Sequence, residues 1–165
     1  MTASLLATLL AKIRRRSLPK RAADSPYTQR AMLFSPAEAA FLRVIDRAVG
    51  KHYRIFGKIR VADVIDVRQD LATDAKRFAF RRISAKHFDF VLCNRRDFSI
   101  VGVIELNDSS HQQKERALRD AFLIDICNAI GLPILTVRAR RQYSASELCS
   151  VVERVFARPQ TKEPV

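Results

Sequence analysis

Two apolar stretches in the middle of the chain predict a β-hairpin. Residues 88–93 (FDFVLC) and residues 98–106 (FSIVGVIEL) flank the turn-like sequence NRRD at residues 94–97. Short apolar runs on either side of such a turn are typical of two antiparallel strands and their connection.

Each predicted strand contains a carboxylate where a buried strand normally has an apolar side chain, Asp89 in the first and Glu105 in the second. A hairpin centred on residue 97 would place the two directly opposite each other, with Cβ atoms roughly 5 Å apart on one face. Two like charges this close repel unless a cation or a proton lies between them. The pair therefore favours a divalent-cation site, and the ordinary alternative is two edge-strand carboxylates that face solvent.

Upstream of the hairpin, the pattern predicts a helix and a strand. Ser35, Pro36 and Glu38 form a capping box with proline in the first turn, and the apolar stripe that follows runs to Gly50, which ends the helix. Residues 53–59 alternate in polarity and predict a first strand. We expect residues 61–67 to be extended or a short turn, and residues 70–80 to be a loop or a half-formed helix.

Downstream of the hairpin, the pattern predicts a helix, a strand and a last helix. The first helix runs from about Gln112 to Ile130 and is closed by Gly131. Residues 134–137 form a short buried strand, and a second capping box at residues 144–147 opens the last helix. The apolar stripe expected to face the core is Leu118, Ala121, Phe122, Ile126, Ala129 and Ile130. This order of elements predicts an α/β protein with a mixed central sheet of about four strands flanked by helices.

The two ends of the chain differ from this middle part. Residues 1–34 combine a short apolar run, basic residues and prolines, which predicts a basic N-terminal helix and linker. The apolar run is far shorter than the ~20 residues of a membrane-spanning helix, so no integral membrane span is expected. Its charges follow the run, whereas those of a signal peptide precede it. We expect the folded domain over residues 35–158 and a tail over residues 159–165.

The net charge indicates the kind of partner. The chain has 30 Lys and Arg residues against 17 Asp and Glu residues, a formal charge of +13. Such a surface favours a polyanion, most commonly nucleic acid. An inert basic surface and attraction to anionic lipid are the alternatives.

The cysteines narrow the choice of metal. Cys93, Cys127 and Cys149 are far apart, form no C-x-x-C pair and lie in apolar patterns, so a zinc ribbon is not expected. They are typical of reduced core residues in a cytoplasmic protein. A metal would then have the oxygen ligands Asp89 and Glu105, which suit a hard cation such as Mg²⁺ or Mn²⁺.

Five short motifs together resemble a known superfamily. They are LFSPAE (33–38), KHFDFVL (86–92), IELNDSSH (104–111), RDAF (119–122) and GLPIL (131–135). As a set they are similar to the PD-(D/E)XK, or restriction-endonuclease-like, superfamily. Within it they resemble an uncharacterised bacterial domain family related to the very-short-patch-repair endonuclease. The resemblance covers residues 33–139 and implies an αβββαβ core with a C-terminal helix.

The resemblance also implies roles for individual residues. Asp89 and Glu105 would bind the metal, and His111 would lie close to the scissile phosphate. Glu38 matches an acidic residue that many members direct at the site, and Lys86 could reach a phosphate. Glu38 also has an ordinary explanation as a capping-box residue, and His111 as a residue making local hydrogen bonds at a helix N-terminus.

One position departs from the superfamily pattern. The residue two after the glutamate is lysine in the E-x-K signature and usually aspartate in the related bacterial family, but here it is Asn107. An amide can coordinate through its carbonyl, yet it carries no charge and cannot activate a water. Asn107 therefore puts catalytic activity, although not the fold, in question.

Three basic residues follow the motif on the next predicted helix: Lys114, Arg116 and Arg119. A solvated basic helix face is the ordinary explanation for such a run. Next to a metal site the same residues would hold the phosphate backbone. No base-reading motif accompanies them, so no sequence preference is predicted.

These observations favour a divalent-metal-dependent nuclease that hydrolyses phosphodiester bonds, most readily in DNA, with Glu38, Asp89, Glu105 and His111 as its catalytic residues. The alternative is a nucleic-acid-binding module of the same fold whose chemistry has decayed. A third, weaker hypothesis is an accessory protein that its basic N-terminus holds near a membrane.

Overall fold

The computed structural model describes residues 25–107 and 121–156 in full, and the backbone of residues 113–120. Over these residues the chain forms four α-helices and four strands. In chain order they are α1 (Pro36–Val49), β1 (Tyr53–Arg60), α2 (Thr73–Ser84), β2 (His87–Asn94), β3 (Ile100–Asn107), α3 (Gln113–Ala129), β4 (Ile134–Arg138) and α4 (Ala145–Phe156). A short 3₁₀ turn, Val61–Asp63, follows β1.

The strands form one open mixed sheet in the order β1-β2-β3-β4. The first three are antiparallel neighbours, and β4 pairs with β3 in parallel. A parallel pair needs a crossover connection, which α3 supplies. The prediction of an α/β protein with a mixed four-stranded sheet is therefore confirmed, as is the hairpin of β2 and β3.

Helix α1 begins where its sequence indicates. The Ser35 side chain accepts a hydrogen bond from the Glu38 N–H at 3.3 Å, and the Glu38 Oε2 accepts one from the Ser35 N–H at 2.8 Å. This capping box satisfies two N–H groups that the helix itself cannot pair. Phe41, Ile45 and Val49 form the buried stripe of the helix, and they pack α1 against the sheet.

A separate apolar core lies on each face of the sheet. The first joins α1 and α4 to the sheet and consists of Phe41, Ile45, Val49, Phe90, Leu92, Ile104, Leu135, Leu148, Val152 and Phe156. The second joins α2 and α3 to the other face and consists of Val61, Ile65, Ile83, Phe88, Val91, Cys93, Val103, Leu123 and Cys127. Burying a large aliphatic or aromatic side chain is worth roughly 1.5–3 kcal/mol, so both layers of helices are anchored mainly by these residues.

Helix α2 corrects one sequence-based expectation. Residues 70–80 were predicted to be a loop or a half-formed helix, but residues Thr73–Ser84 form a regular helix of 12 residues. Ile83 is its one buried side chain, so the segment has no repeating apolar stripe to reveal it. Tertiary contact through Ile83 and good helix formers such as Ala75 and Lys76 are enough to form it.

Helix α3 corrects a second expectation, the residues that face the core. Among the side chains of α3 that the structure describes, Leu123 and Cys127 are buried, and Phe122 and Ile126 are partly buried. By contrast, Ala121 and Ala129 are exposed, and Ile130 after the helix is 53% exposed. Of the predicted stripe, Phe122 and Ile126 do pack against the second core, whereas Ala121, Ala129 and Ile130 do not, because alanines satisfy the apolar period without needing burial. The side chain of Leu118 lies outside the described residues.

The compact unit of the α/β sheet begins at Phe34, and residues 25–33 belong to a separate unit. The predicted basic helix and the predicted tail fall mainly on residues outside those that the structure describes. Within the described residues, no helix combines the length and the apolar character that crossing a bilayer requires.

Candidate functional site

The Asp89 side chain links β2 to β3 by a hydrogen bond at the open end of the hairpin. The residue pairing between β2 and β3 runs to Phe90↔Ile104, and Asp89 is the next residue on β2. Its Oδ2 accepts a hydrogen bond from the Leu106 N–H at 2.9 Å, so the side chain extends the ladder where backbone pairing stops. Leu106 directly follows Glu105, which brings the Asp89 carboxylate against the backbone beside the second predicted metal ligand.

Two further charged residues converge on Asp89. The Lys58 Nζ on β1 forms an ion pair with the Glu38 Oε1 and lies 3.7 Å from the Asp89 Oδ1. Glu38 thus uses one oxygen for its capping box and the other for Lys58. Three secondary structure elements, α1, β1 and β2, therefore deliver two carboxylates and one ammonium to a single place.

The backbone at Lys58 is unusual. Its φ is 59°, a left-handed conformation that non-glycine residues adopt rarely and at a cost of order 1–3 kcal/mol. The regular β1–β2 pairs Gly57↔Phe90 and Ile59↔Phe88 lie on either side of it. At the same point Phe88 and Phe90 enter opposite cores, although alternate residues of a regular strand share a face. The sheet is thus distorted where Lys58 meets Asp89.

The two carboxyl groups of this cluster differ in their electrostatics. Burial raises the pKa of Glu38, but hydrogen bonds from Lys58 and from the Ser35 N–H outweigh burial and hold that pKa below its ordinary value. Burial raises the pKa of Asp89, the Leu106 N–H opposes this, and the nearby Glu38 charge raises it further, so the net shift is upward. Glu38 thus holds its charge readily, whereas ionised Asp89 would gain most from an added cation.

Glu105 is the buried charged residue of the sheet, with 4% exposure. It lies on β3 opposite Thr136 of β4. Burial and the charge of Glu105 together raise the pKa of Cys127 to about 11, which places the carboxylate near α3. The described contacts of Asp89 are with α1, β1 and the Leu106 backbone, so the two predicted metal ligands flank the same end of the hairpin with different neighbours.

The donor atoms suit a hard cation. Carboxylate oxygens are the preferred ligands of Mg²⁺ and Mn²⁺, and Glu38 and Asp89 already hold a positive group between them. Among the residues that the structure describes, no three His, Cys, Asp or Glu side chains are grouped as a ready ligand set. His111, which the resemblance places close to the scissile phosphate, lies outside the described residues.

Asn107, the residue that departs from the superfamily pattern, is the last residue of β3. Asn107 is exposed, pairs with Arg138 and accepts a backbone hydrogen bond from the Ala139 N–H at 2.8 Å. Its backbone is therefore fixed by β4, while its side chain remains accessible to solvent.

A basic and aromatic cluster lies between α2, β2 and α3. The guanidinium carbon of Arg82 lies 4.2 Å from the centroid of the Phe122 ring, and the Lys86 Nζ lies 5.4 Å from the same ring. Both cations thus lie close to one aromatic ring. Lys114, Arg116 and Arg119 are on the same helix as Phe122, and their side chains lie outside the described residues.

Sequence analysis did not single out Lys58. In the strand sequence YRIFGKIR, Lys58 has the same phase as Arg54 and Arg60, so alternation predicts an ordinary solvent-facing lysine. The left-handed backbone and the position of Glu38 at the start of α1 bring its ammonium to Asp89. A lysine between a glycine and the end of a strand is too common a pattern to have indicated this.

Comparison with known proteins places the chain in a family without assigning an activity. No curated protein and no solved structure matched it. A family described as "Protein of unknown function (DUF2726)" matches residues 30–155, which is most of the chain and includes every described residue of the candidate site. Its description names no reaction, so the PD-(D/E)XK resemblance stays a sequence-based prediction. The chain belongs to this family of unknown function, DUF2726.

Proposed function

We propose that the protein is a divalent-metal-dependent nuclease that hydrolyses phosphodiester bonds, with DNA as the favoured substrate. The observation that carries the proposal is the cluster of Glu38, Lys58 and Asp89 at the open end of the hairpin, adjacent in sequence and space to the strand that holds Glu105. The buried carboxylate of Glu105, the left-handed backbone of Lys58 and the raised pKa of Asp89 are together typical of functional sites.

The order of the helices and strands also supports the proposal. The order α1, β1, β2, β3, α3, β4 follows the αβββαβ pattern that the restriction-endonuclease-like resemblance implies, with α2 inserted after β1. The hairpin, the parallel fourth strand and the C-terminal helix all agree with it. We therefore propose a restriction-endonuclease-like core as the scaffold of the site.

In this proposal Asp89 and Glu105 would hold Mg²⁺ or Mn²⁺, which when bound would activate a water and offset charge on the phosphate. Glu38 completes the carboxylate set and orients Lys58. His111 would take the proton of the attacking water or hydrogen-bond the phosphate, because an imidazole can gain or lose a proton near neutral pH. Lys86, Lys114, Arg116 and Arg119 would hold the nucleic acid backbone.

The direct test is nicking of supercoiled plasmid by the purified protein. We expect open-circular product with Mn²⁺ or Mg²⁺ and none with excess EDTA. Asp89→Asn purified in parallel controls for contaminating nucleases. If neither DNA nor RNA is cleaved by folded, metal-loaded protein, the nuclease proposal is wrong.

A second candidate is a decayed nuclease retained for nucleic acid binding, and Asn107 is the observation that favours it. The signature position offers a neutral, exposed amide where a charged group is usual. Such a protein would bind DNA with the same basic surface and cleave nothing.

Asn107→Asp separates these two candidates. An added carboxylate at the end of β3 favours the metal-bound state, so we expect tighter Mn²⁺ binding and a nicking rate raised by about tenfold, equivalent to about 1.4 kcal/mol of barrier. Asn107→Ser, which adds no charge, is the matched control. Cleavage that appears in the aspartate variant alone would identify the decayed nuclease.

Neutralising Lys114, Arg116 and Arg119 together should weaken the salt dependence of DNA binding. Each phosphate contact releases counterions, so losing all three contacts should lower the slope of log K against log salt by roughly two to three units. Fluorescence anisotropy with a duplex oligonucleotide at several salt concentrations measures this slope.

The matched control removes the same charge elsewhere. Arg47, Lys51 and Arg54 lie together around a shallow depression at the end of α1, far along the chain from the predicted DNA-binding helix. Neutralising them should leave the slope nearly unchanged. If the two triple variants behave alike, α3 is not the DNA surface, and the arginine-rich N-terminus becomes the better candidate.

A further inference from the structure

Lys58 occupies a position that a metal ion would also favour. Its ammonium pairs with Glu38 and lies 3.7 Å from Asp89, and its side chain is one-third exposed. A lysine on an edge strand ordinarily extends into solvent, where its charge is well hydrated. Here the backbone of Lys58 is left-handed, and the ammonium lies between the carboxylates of Glu38 and Asp89 instead.

Asn107 at the end of β3 carries no charge, and β3 contains no lysine or arginine that could bring a positive group to Asp89. β1, which lies on the other side of β2 from β3, brings the Lys58 ammonium to Glu38 and Asp89. The positive charge beside Asp89 therefore comes from β1 and not from β3.

We propose that Lys58 is the built-in cation of this site. In the metal-free protein it holds Glu38 and Asp89 together, and on binding of a divalent cation its ammonium is displaced from Asp89 and becomes the positive group that orients the phosphate. The proposal rests on the proposed nuclease function for its second half, while its first half concerns the metal-free protein alone.

The physical basis is competition between two positive charges for one carboxylate. Without Lys58, Glu38 and Asp89 would face each other as like charges, which destabilises the folded state. With Lys58 present, a divalent cation must displace an existing ion pair to reach Asp89, so the lysine opposes metal binding. Removing the ammonium should therefore destabilise the metal-free protein and strengthen its response to metal.

The test compares Lys58→Met with the parent protein in thermal denaturation, with EDTA and with increasing Mn²⁺. We expect a lower Tm in EDTA, a larger Mn²⁺-induced rise in Tm than in the parent, and nicking reduced by at least about tenfold. A residue with a purely structural role would lower stability and cleavage without strengthening the metal response. Lys51→Met, at an exposed lysine, is the matched control and should match the parent in all three measurements.

Lys58→Gln is the second variant, in case methionine disturbs folding, and far-UV circular dichroism confirms that each variant is folded. A Mn²⁺-induced rise equal to or smaller than that of the parent in both variants would overturn the inference, whatever the cleavage assay gives. A larger rise in the variants, combined with no cleavage by the parent, would support Lys58 as the built-in cation and overturn the nuclease function instead.

Discussion

Asp89→Asn is expected to abolish metal-dependent cleavage and to stabilise the metal-free protein. The amide can still accept the hydrogen bond from the Leu106 N–H, so the end of the hairpin should stay closed. The loss of a carboxylate that binds the cation directly should lower cleavage by at least roughly a hundredfold and remove the Mn²⁺-induced rise in Tm. Opposite effects on function and stability at one residue are typical of active sites.

The expected stabilisation follows from the raised pKa of Asp89. An acid whose pKa is higher in the folded state holds its proton more tightly there, so its ionisation at neutral pH weakens folding. Below the unfolded value, near 3.9, both states are protonated and the penalty is absent. It develops as pH rises through the folded pKa, so the advantage of Asp89→Asn should be largest near neutral pH.

Thermal denaturation in EDTA between about pH 4 and pH 7 measures this difference. Asp66→Asn, at an exposed aspartate, is the control and should not show the same pH dependence. A metal-free Asp89→Asn protein less stable than the parent at pH 7 would contradict the expectation. It would mean that the attraction between Asp89 and Lys58 outweighs the burial of the carboxylate.

Gly102→Ala is expected to cause the largest loss of stability of any single methyl addition to the sheet. A Cβ at Gly102 would lie 2.3 Å from the Phe156 Cε1 and 2.8 Å from the Pro133 carbonyl oxygen. Phe156 is buried in the first core, and the Pro133 carbonyl accepts the Val103 N–H at 2.9 Å. Because neither neighbour can move freely, we expect a loss of about 2–3 kcal/mol.

For a chain of this size, that loss corresponds to a fall in Tm of roughly 5–10 °C, measurable by differential scanning fluorimetry. Gly131→Ala is the informative control, because Gly131 has a φ of +69° but no atom within 4 Å of an added Cβ. Its cost should be limited to backbone conformation, about 1 kcal/mol. Equal losses at the two glycines would show that the packing around Phe156 adapts to the extra methyl.

The sequence by itself determined the parts of the fold that rest on local chemistry. The capping box of Ser35 and Glu38 is a local exchange of hydrogen bonds, so its residues indicate the start of α1 directly. The hairpin is also visible, because two apolar runs around a polar turn have few other ways to pair. From these elements the mixed sheet of four strands could be predicted.

Features that depend on burial from distant elements could not be predicted. Helix α2 forms with Ile83 as its one buried side chain, so no periodic stripe marks it. In α3 the apolar period allowed several rotations of the helix, and contact with the second core selected Leu123 and Cys127.

The residues of the candidate site likewise include some that the sequence indicated and one that only the tertiary structure revealed. Sequence pattern singled out Asp89 and Glu105, because a carboxylate within an apolar strand is conspicuous in any arrangement of the sheet. It also singled out Glu38, although a capping box alone already explains that residue. Lys58 was hidden because strand alternation assigns it to solvent. Only the tertiary structure, through a left-handed backbone and the approach of α1 to β2, brings its charge between Glu38 and Asp89.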